Sequence, residues 1–384
     1  MTPKPQKVAV IAGFGWSLVN FRLQLLKRMV AQGHEVVAVA PDIDARTALI
    51  LEENGIRHAH VRMNRTGTNP VADLATLRDL MGLLRRERPD VVLPYTMKPI
   101  VYGCMASRLT GIGRAFALFT GLGYAFIDPY PTGRRAMIRA VTIRLHRIGL
   151  RNVEAAFTYN PSEDEDIRAY RLVPDHVPLV RVAGSGIDTE RFAQCPVPDG
   201  PPRFLMVARL LKSKGVAVLA DAARLLKAQG RTPDIRLLGP FDSNPDAVTV
   251  DEMDRWTSEE LFSHLGETRD VRPYLRDASV FVLPTMLREG VPRTILEAMA
   301  TGRAVITTDA PGCGTTVVEG QTGFVVPQGD AEALAAAMAR YLDDSELAAA
   351  HGAAGRARAE NVYDVHAVNR TILTTIGLET TDEN

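Results

Sequence analysis

The chain alternates short apolar runs with amphipathic stretches, and this alternation is the feature that most restricts its fold. Runs such as Val8–Gly13, Val36–Ala40 and Val91–Thr96 are separated by stretches of helical periodicity such as Val71–Arg86. Strands and helices in alternation predict a parallel sheet with helices on both faces. The other strands predicted in this half are His58–Met63, Ala115–Thr120, Ala155–Asn160 and Pro178–Ala183.

The same alternation restarts after the proline-rich segment CPVPDGPPRF. The strands predicted beyond it are Arg203–Ala208, Ile235–Leu238, Val280–Pro284, Ala304–Thr308 and Gly323–Val326. A length of 384 residues suits two domains. We predict doubly wound domains over 1–184 and 185–361, with a last helix near 362–378 that packs back on the first domain. Ligands bind beyond the carboxyl ends of parallel strands, so two facing domains would place these loops around one cleft.

Composition excludes several classes of protein. The three cysteines have no CxxC spacing, which argues against a disulfide framework or a zinc site. No secretory signal and no membrane span are expected, because no apolar h-region or run of about 18 apolar residues occurs. Residues 1–180 contain 24 Lys and Arg against 16 Asp and Glu, whereas the remainder contains 21 against 29. The basic half suggests an anionic partner; a chance asymmetry between solvated surfaces is the alternative.

The first chemical motif follows the strand that opens the second half. Arg209 and Lys214 flank a strand-to-helix turn in VARLLKSKG, close to a helix N-terminus that favours anions. Together they would neutralise a diphosphate without a metal. Taken alone, the motif is also compatible with a solvated basic loop.

The second motif is MLREGVPRTILE, after the strand VFVLPT. Glu289 lies in the loop and Glu297 lies eight residues later in a helix that starts near Pro292, where Gly290 permits a tight turn. A carboxylate beside backbone N–H donors suits a hydroxyl-rich ligand, although acids at a helix start are favoured in any case. A third loop, Asp309–Thr315, contains glycines that allow close backbone approach.

This ordered set resembles the C-terminal domain of the family 4 retaining glycosyltransferases, whose EX7E spacing is met by Glu289 and Glu297. The segments GFGWSLVNFRLQLLKRM, YTMKPIVYG and TGLGYAF are similar to one branch of that family. That branch adds sugars to lipid-linked oligosaccharides and includes N-acetylgalactosaminyltransferases of the PglA type. The resemblance implies an α/β fold of two facing Rossmann-like domains with a cleft between them, called GT-B.

The resemblance also implies roles for individual residues. Arg209 and Lys214 would contact the donor diphosphate, and Glu289 would contact donor sugar hydroxyls next to the reacting centre. Glu297 would hold the ribose hydroxyls. The backbone from Gly290 through Val291 and Pro292 to Arg293 would touch sugar and phosphate. Transfer would proceed with retention through an oxocarbenium-like route, with positioned cations stabilising the leaving phosphate.

In the first half, candidate acceptor-binding residues follow the strands. Gly13 and Gly15 precede Leu18, where a dinucleotide fingerprint needs glycine, so NAD binding is not expected, but Gly15 remains a candidate donor contact. Thr96 and Lys98 follow a strand, and Pro99 is expected at the first helical position, although Lys98 is equally compatible with a plain surface role. Tyr124 in TGLGY is expected to shape the acceptor site.

The segment Arg134–Arg151 contains six arginines and no acid. Most of the arginines are expected opposite a face on which helical periodicity places Met137, Ile138, Val141, Leu145 and Ile148. This pattern suits a helix on an anionic membrane or beside a lipid diphosphate, with Arg135 and Arg139 as acceptor contacts. A core-facing amphipathic helix with a solvated basic face is the alternative. No recognition motif for nucleic acid accompanies the arginines.

No metal or other cofactor is expected. Asp42-Ile-Asp44 resembles a metal-binding DxD, but Asp44 is better placed to cap the next helix. The predicted function is transfer of a hexose or N-acetylhexosamine, from a UDP-sugar or similar donor, to a polyprenyl-diphosphate-linked saccharide. We expect this at the cytoplasmic face of the inner membrane. The alternatives are a nucleotide-sugar epimerase of the same fold and a non-catalytic nucleotide-sugar-binding subunit.

Overall fold

The computed structural model describes residues 4–64, 69–126, 130–244 and 246–380, with the backbone alone for Tyr124 and Ser345. The chain forms two compact units, one of residues 1–185 with 365–384 and the other of residues 186–364. The strands are β1 Lys7–Ile11, β2 Glu35–Ala40, β3 Arg57–His60, β4 Val91–Pro94, β5 Arg114–Leu118, β6 Ala155–Thr158, β7 Leu179–Arg181, β8 Arg203–Val207, β9 Asp234–Leu238, β10 Ser263–His264, β11 Val280–Leu283, β12 Ala304–Thr308 and β13 Gly323–Val326.

Helices follow most of these strands. They are α1 Gly15–Ala31, α2 Ala45–Glu53, α3 Pro70–Glu87, α4 Met97–Thr110, α5 Gly133–Gly149, α6 Pro161–Ala169, α7 Val216–Ala228, α8 Val250–Ser258, α9 Arg272–Arg276, α10 Arg293–Ala300, α11 Ala331–Asp343, α12 Ser345–Val362 and α13 Val365–Thr375. Within the described residues, none of them is both long and apolar enough to cross a bilayer.

Each unit has a parallel sheet with the strand order of a doubly wound fold. The order is β3-β2-β1-β4-β5-β6-β7 in the N-terminal unit and β10-β9-β8-β11-β12-β13 in the C-terminal unit. The central strands are apolar on both faces, as the continuous runs in the sequence predict. In both sheets the order reverses beside the first strand, which places the ligand-binding edge at the carboxyl ends of β1 and β4, and of β8 and β11.

The helix α13 belongs to the N-terminal unit and packs against α1. Val368, Ile372 and Leu373 are buried there. The segment after α13 forms polar contacts with the N-terminal unit. Glu379 accepts a hydrogen bond of 2.9 Å from Arg28 Nε, and Leu378 O lies 2.9 Å from His34 Nε2. The end of the chain therefore completes the core of the unit that contains its start.

Side-chain caps fix several helix starts. Asp44 accepts a hydrogen bond from the Thr47 amide at 2.7 Å, which confirms it as the cap of α2. Asn69 caps α3, with Pro70 at the first helical position. The helix α4 begins at Met97, so the prediction that Pro99 is its first residue is wrong. Pro99 is tolerated two positions later because the first four helical N–H groups have no intrahelical acceptor.

The start of α6 contains a buried acid, Glu163. Its Oε2 accepts a hydrogen bond of 2.7 Å from the Tyr159 amide, and the Gly121 amide also donates to this carboxyl group. Its Oε1 has no partner among the described residues. Burial raises the pKa of Glu163 to about 7, against the lowering effect of the Tyr159 amide. The carboxyl group thus joins the loops after β5 and β6 while favouring its protonated form.

This burial predicts how the stability of the N-terminal unit depends on pH. The folded state binds the Glu163 proton more tightly than the unfolded chain does, so stability falls as pH rises from about 4.5 through about 7. The variant Glu163→Gln keeps an acceptor and is neutral at every pH. It should gain on the order of 1–3 kcal/mol in unfolding free energy relative to the wild type between pH 5 and pH 8.

Urea denaturation at both pH values measures this difference. Glu165→Gln, an exposed acid on the same helix, is the matched control and should show no such trend. The prediction would be contradicted if the unfolding free energy of Glu163→Gln, relative to that of the wild type, were lower at pH 8 than at pH 5.

Candidate active site

The centre of the C-terminal unit's ligand edge contains an ion pair between Lys214 and Glu289. Lys214 Nζ lies 2.6 Å from Glu289 Oε1, and both side chains are mostly buried. Lys214 follows β8 and Glu289 follows β11, which are neighbours in the sheet. Parallel pairing therefore brings together two residues 75 positions apart in the chain.

Thr285, which sequence analysis did not identify, forms hydrogen bonds around this ion pair. Its fully buried hydroxyl lies 3.2 Å from Glu289 Oε1 and 3.3 Å from Ser213 O, and it accepts a hydrogen bond from the Leu287 amide at 3.2 Å. It thereby connects the loop after β8 to the loop after β11. The only sequence signal was a hydroxyl residue at a strand end, which is too common to be distinctive.

The glycine-rich loop after β12 holds the backbone of Glu289 from another side. The Glu289 amide donates to Pro311 O at 3.0 Å. Gly312 has φ of +82°, and a Cβ there would lie 2.2 Å from Glu289 O and 2.1 Å from Gly290 O. Only glycine fits this approach. The third predicted loop therefore positions the second motif by contact.

Glu297, the second acid of the EX7E spacing, lies in α10 and is almost fully buried. Its Oε1 accepts a hydrogen bond of 3.0 Å from Arg293 Nε, one turn earlier. Burial raises the pKa of Glu297, and the Arg293 guanidinium opposes that shift. Gly290 and Pro292 are buried in the turn before the helix, and Val291 is half-buried. Gly290, Val291 and Pro292 thus form the turn that leads into α10, whose first residue is Arg293.

Arg209 is separate from the Lys214–Glu289 pair in its contacts. Its Nη1 lies 2.8 Å from Asp242 Oδ2, in the loop after β9, and half of its side chain is exposed. The same loop reaches the lysine turn through Asp246, which accepts a hydrogen bond from the Ser213 amide at 3.1 Å. Arg209, which was predicted to contact the diphosphate, is therefore paired with a carboxylate that sequence analysis missed.

In the N-terminal unit the predicted residues lie near the carboxyl ends of β1 and β4. The Gly15 amide donates to Asp42 Oδ1 at 2.6 Å, so this amide is already engaged by the protein. Lys98 Nζ lies 2.8 Å from Asp73 Oδ1 of α3. Tyr124 begins the 3-10 turn Tyr124–Phe126, but its side chain lies outside the described residues.

Thr96 has a strained backbone. Its φ of 67° and ψ of 158° lie in a region that glycine alone occupies readily, and a β-branched residue there costs about 1–3 kcal/mol. It follows β4 directly and precedes α4, at the edge where doubly wound sheets bind ligands. Strain of this kind concentrates at functional sites.

The arginine-rich helix α5 is oriented differently from the sequence prediction. Met137, Val141 and Ile148 are 62%, 48% and 39% exposed, and they share the solvent side with Arg144 and with Arg151, which follows the helix. Ile138 and Leu145 are partly buried. The expectation of most arginines opposite the apolar residues is therefore wrong. The buried His146 lies on the inner side of the helix, where its ring stacks on Phe119 with 6.2 Å between centroids. The result is an exposed face of mixed apolar and cationic side chains.

The two candidate acceptor arginines of α5 differ in their surroundings. Arg139 donates to the Tyr170 hydroxyl at 3.2 Å and lies over the Tyr170 ring, with 5.4 Å to the centroid. Arg135 is exposed near the start of the helix.

Comparison with known proteins follows this division into two units. Residues 19–183 match the family described as glycosyl transferase 4-like domain, and residues 201–344 match the family described as glycosyl transferases group 1. The putative colanic acid biosynthesis glycosyltransferase WcaL of Salmonella typhimurium is 32% identical over 373 residues, which cover 85% of this chain and 88% of that protein.

A second relative and a solved structure cover nearly the same extent. The N,N'-diacetylbacillosaminyl-diphospho-undecaprenol alpha-1,3-N-acetylgalactosaminyltransferase of Campylobacter jejuni is 24% identical over 355 residues, covering 89% of this chain and 90% of that protein. Anabaena Alr3699/HepE in complex with UDP-glucose matches with a TM-score of 0.76 at 17% identity, over 97% of this chain and 99% of that one. The chain therefore has the GT-B fold and belongs to the family 4 glycosyltransferases.

Proposed function

We propose that the protein transfers a hexose or N-acetylhexosamine, with retention, from a UDP-sugar to a polyprenyl-diphosphate-linked saccharide in surface glycan assembly. The Lys214–Glu289 ion pair at the ligand edge of the C-terminal unit carries this proposal. The Campylobacter jejuni relative is named for an undecaprenyl-diphosphate-linked acceptor, and the Anabaena structure holds UDP-glucose. These names supply the acceptor and donor classes that we propose.

The proposed chemistry assigns a task to each side chain. Lys214 and Arg209 stabilise the diphosphate as the bond to the sugar breaks, so that no metal cofactor is required. Glu289, fixed by Lys214 and Thr285, accepts hydrogen bonds from donor hydroxyls beside the reacting carbon. Glu297 orients the ribose, with Arg293 as its counter-ion. The leaving phosphate accepts the proton of the acceptor hydroxyl, which removes the need for a separate base.

Two substitutions test the assignment. Glu289→Gln and Lys214→Ala should each lower turnover by about 100-fold or more, because each removes charge from a mostly buried pair that acts at the reacting centre. Release of UDP and formation of the glycosylated acceptor, followed by mass spectrometry, measure turnover.

The matched control is Lys212→Ala. Lys212 lies two residues from Lys214 but forms an exposed pair with Glu252, so turnover should change little. Equal activity of Glu289→Gln, Lys214→Ala and Lys212→Ala would refute the assignment. Conversion of the donor to an epimer without acceptor would indicate the epimerase, and donor binding without UDP release would indicate the non-catalytic subunit.

We further propose that α5 holds the protein against the anionic cytoplasmic face of the inner membrane, where a polyprenyl-linked acceptor resides. Its exposed face combines apolar residues with arginines, as in helices that lie in the membrane interface. Each arginine near an anionic surface contributes about 1 kcal/mol.

Binding to vesicles tests this location. Arg144→Gln combined with Arg151→Gln should weaken binding to phosphatidylglycerol vesicles by about 30-fold, which corresponds to the two lost contributions. Co-sedimentation at low and high salt measures it, and binding should fall as salt rises. Val141→Ser should also weaken binding, whereas Val250→Ser, at an exposed site in the C-terminal unit, should not. Binding of the double variant that equals wild type would refute the role of α5.

A further inference from the structure

Arg22, in the second turn of α1, is buried in the N-terminal unit with 2% of its surface exposed. It donates through Nη2 to the Tyr159 hydroxyl, and its guanidinium lies 5.2 Å from the ring centroid of Tyr95 and 6.0 Å from that of Tyr159. Its Nε and Nη1 atoms have no hydrogen-bond partner among the described residues. No carboxylate among those residues forms an ion pair with Arg22 either.

A buried cation without a carboxylate is costly, so its presence calls for a physical explanation. Arg303, which is also fully buried, has a structural explanation. Its Nη1 donates to Ala278 O at 2.9 Å, and its Nη2 reaches the carbonyls of Cys195, Pro196 and Thr301. Arg22 has no comparable set of acceptors, and two aromatic faces offset only part of the desolvation.

The position of Arg22 points to a ligand. Tyr95 follows β4 directly, Tyr159 follows β6 directly, and Ser17 Oγ lies 2.7 Å from the Tyr95 hydroxyl. All three lie towards the carboxyl ends of the strands, where the strand order reverses between β1 and β4. The strained Thr96 is the next residue after Tyr95. Strain and an uncompensated charge therefore occur at the same edge.

We propose that Arg22 is the fixed positive charge of an anion site at this edge, which takes a diphosphate group. This rests on the proposed function, in which the acceptor carries such a group. Lys98, the other cation predicted there, is already paired with Asp73 at 2.8 Å, so it brings less net charge. The Tyr95 and Tyr159 rings cover the guanidinium, and its field acts through them because a buried charge is weakly screened. Arg22 is thus a positioning residue for the acceptor.

The first experiment compares two acceptors within each variant. One is a short polyprenyl-diphosphate saccharide, and the other is the same saccharide on a neutral alkyl linker. The ratio of their kcat/KM values measures recognition of the diphosphate and is insensitive to a general loss of folded enzyme. Arg22→Met should lower this ratio at least tenfold without raising the KM for the donor, and Arg22→Lys should retain most of it. Arg78→Met, at an exposed arginine of α3, is the control for net charge and should leave the ratio unchanged.

An unchanged ratio in Arg22→Met, or an equal loss on both acceptors, would overturn the proposal.

A second experiment separates this proposal from the proposed function and separates free diphosphate from the lipid-linked group. Inorganic diphosphate is titrated calorimetrically into the wild type, Lys214→Ala and Arg22→Met. We expect two binding events in the wild type, of which Lys214→Ala loses one and Arg22→Met the other. If the wild type transfers to neither acceptor, the proposed function fails, and this titration still decides whether Arg22 serves an anion. Diphosphate binding by Arg22→Met that equals the wild type would overturn the anion site.

Discussion

The ion pair between Lys214 and Glu289 is the contact on which the chemistry proposed for the C-terminal unit depends. Each residue follows a central strand, and the parallel pairing of β8 with β11 sets the separation of their backbones. Thr285 then donates to the carboxylate, and the loop of Gly312 packs against the backbone of Glu289. Preorganisation of this kind lets a charged site stabilise a transition state without reorganising at the moment of reaction.

The cations of the molecule differ in how easily an incoming phosphate can engage them. Arg209 and Asp242 form a half-exposed pair, and such pairs contribute about 0–1 kcal/mol, so exchange of the carboxylate for a diphosphate costs little. Lys214 and Glu289 are mostly buried, so removal of either partner leaves a charge with poor solvation. In the proposed function, Arg209 would therefore capture the donor, and Lys214 would hold charge in place while the bond breaks.

Sequence alone was sufficient for the architecture, because continuous apolar runs at regular intervals leave few alternatives to two doubly wound sheets. Most predicted strands agree with the structure to within one or two residues, and Glu289 and Lys214 were placed correctly in loops after strands. The strand Ser263–His264 was missed, because two residues at a sheet edge have no detectable periodicity. The ion-pair partners of Lys98 and Arg209 could not be predicted because they are distant in sequence. Asp73 lies 25 residues from Lys98, and Asp242 lies 33 residues from Arg209.

The properties that sequence could not supply are those that depend on rotation and burial. The arginine-rich segment alone does not show which of its residues face the core, and the structure shows that His146 stacks on Phe119 while Leu145 packs against the core. In the sequence, Arg22 is one more basic residue on an amphipathic helix. Its surroundings appear only when Tyr95 and Tyr159, which follow strands β4 and β6, are placed around it. The isolation of the Arg22 charge depends on three segments that are distant in the sequence. In this chain the motifs around Lys214 and Glu289 lie within short runs of sequence, whereas the surroundings of Arg22 come from segments more than 70 residues apart.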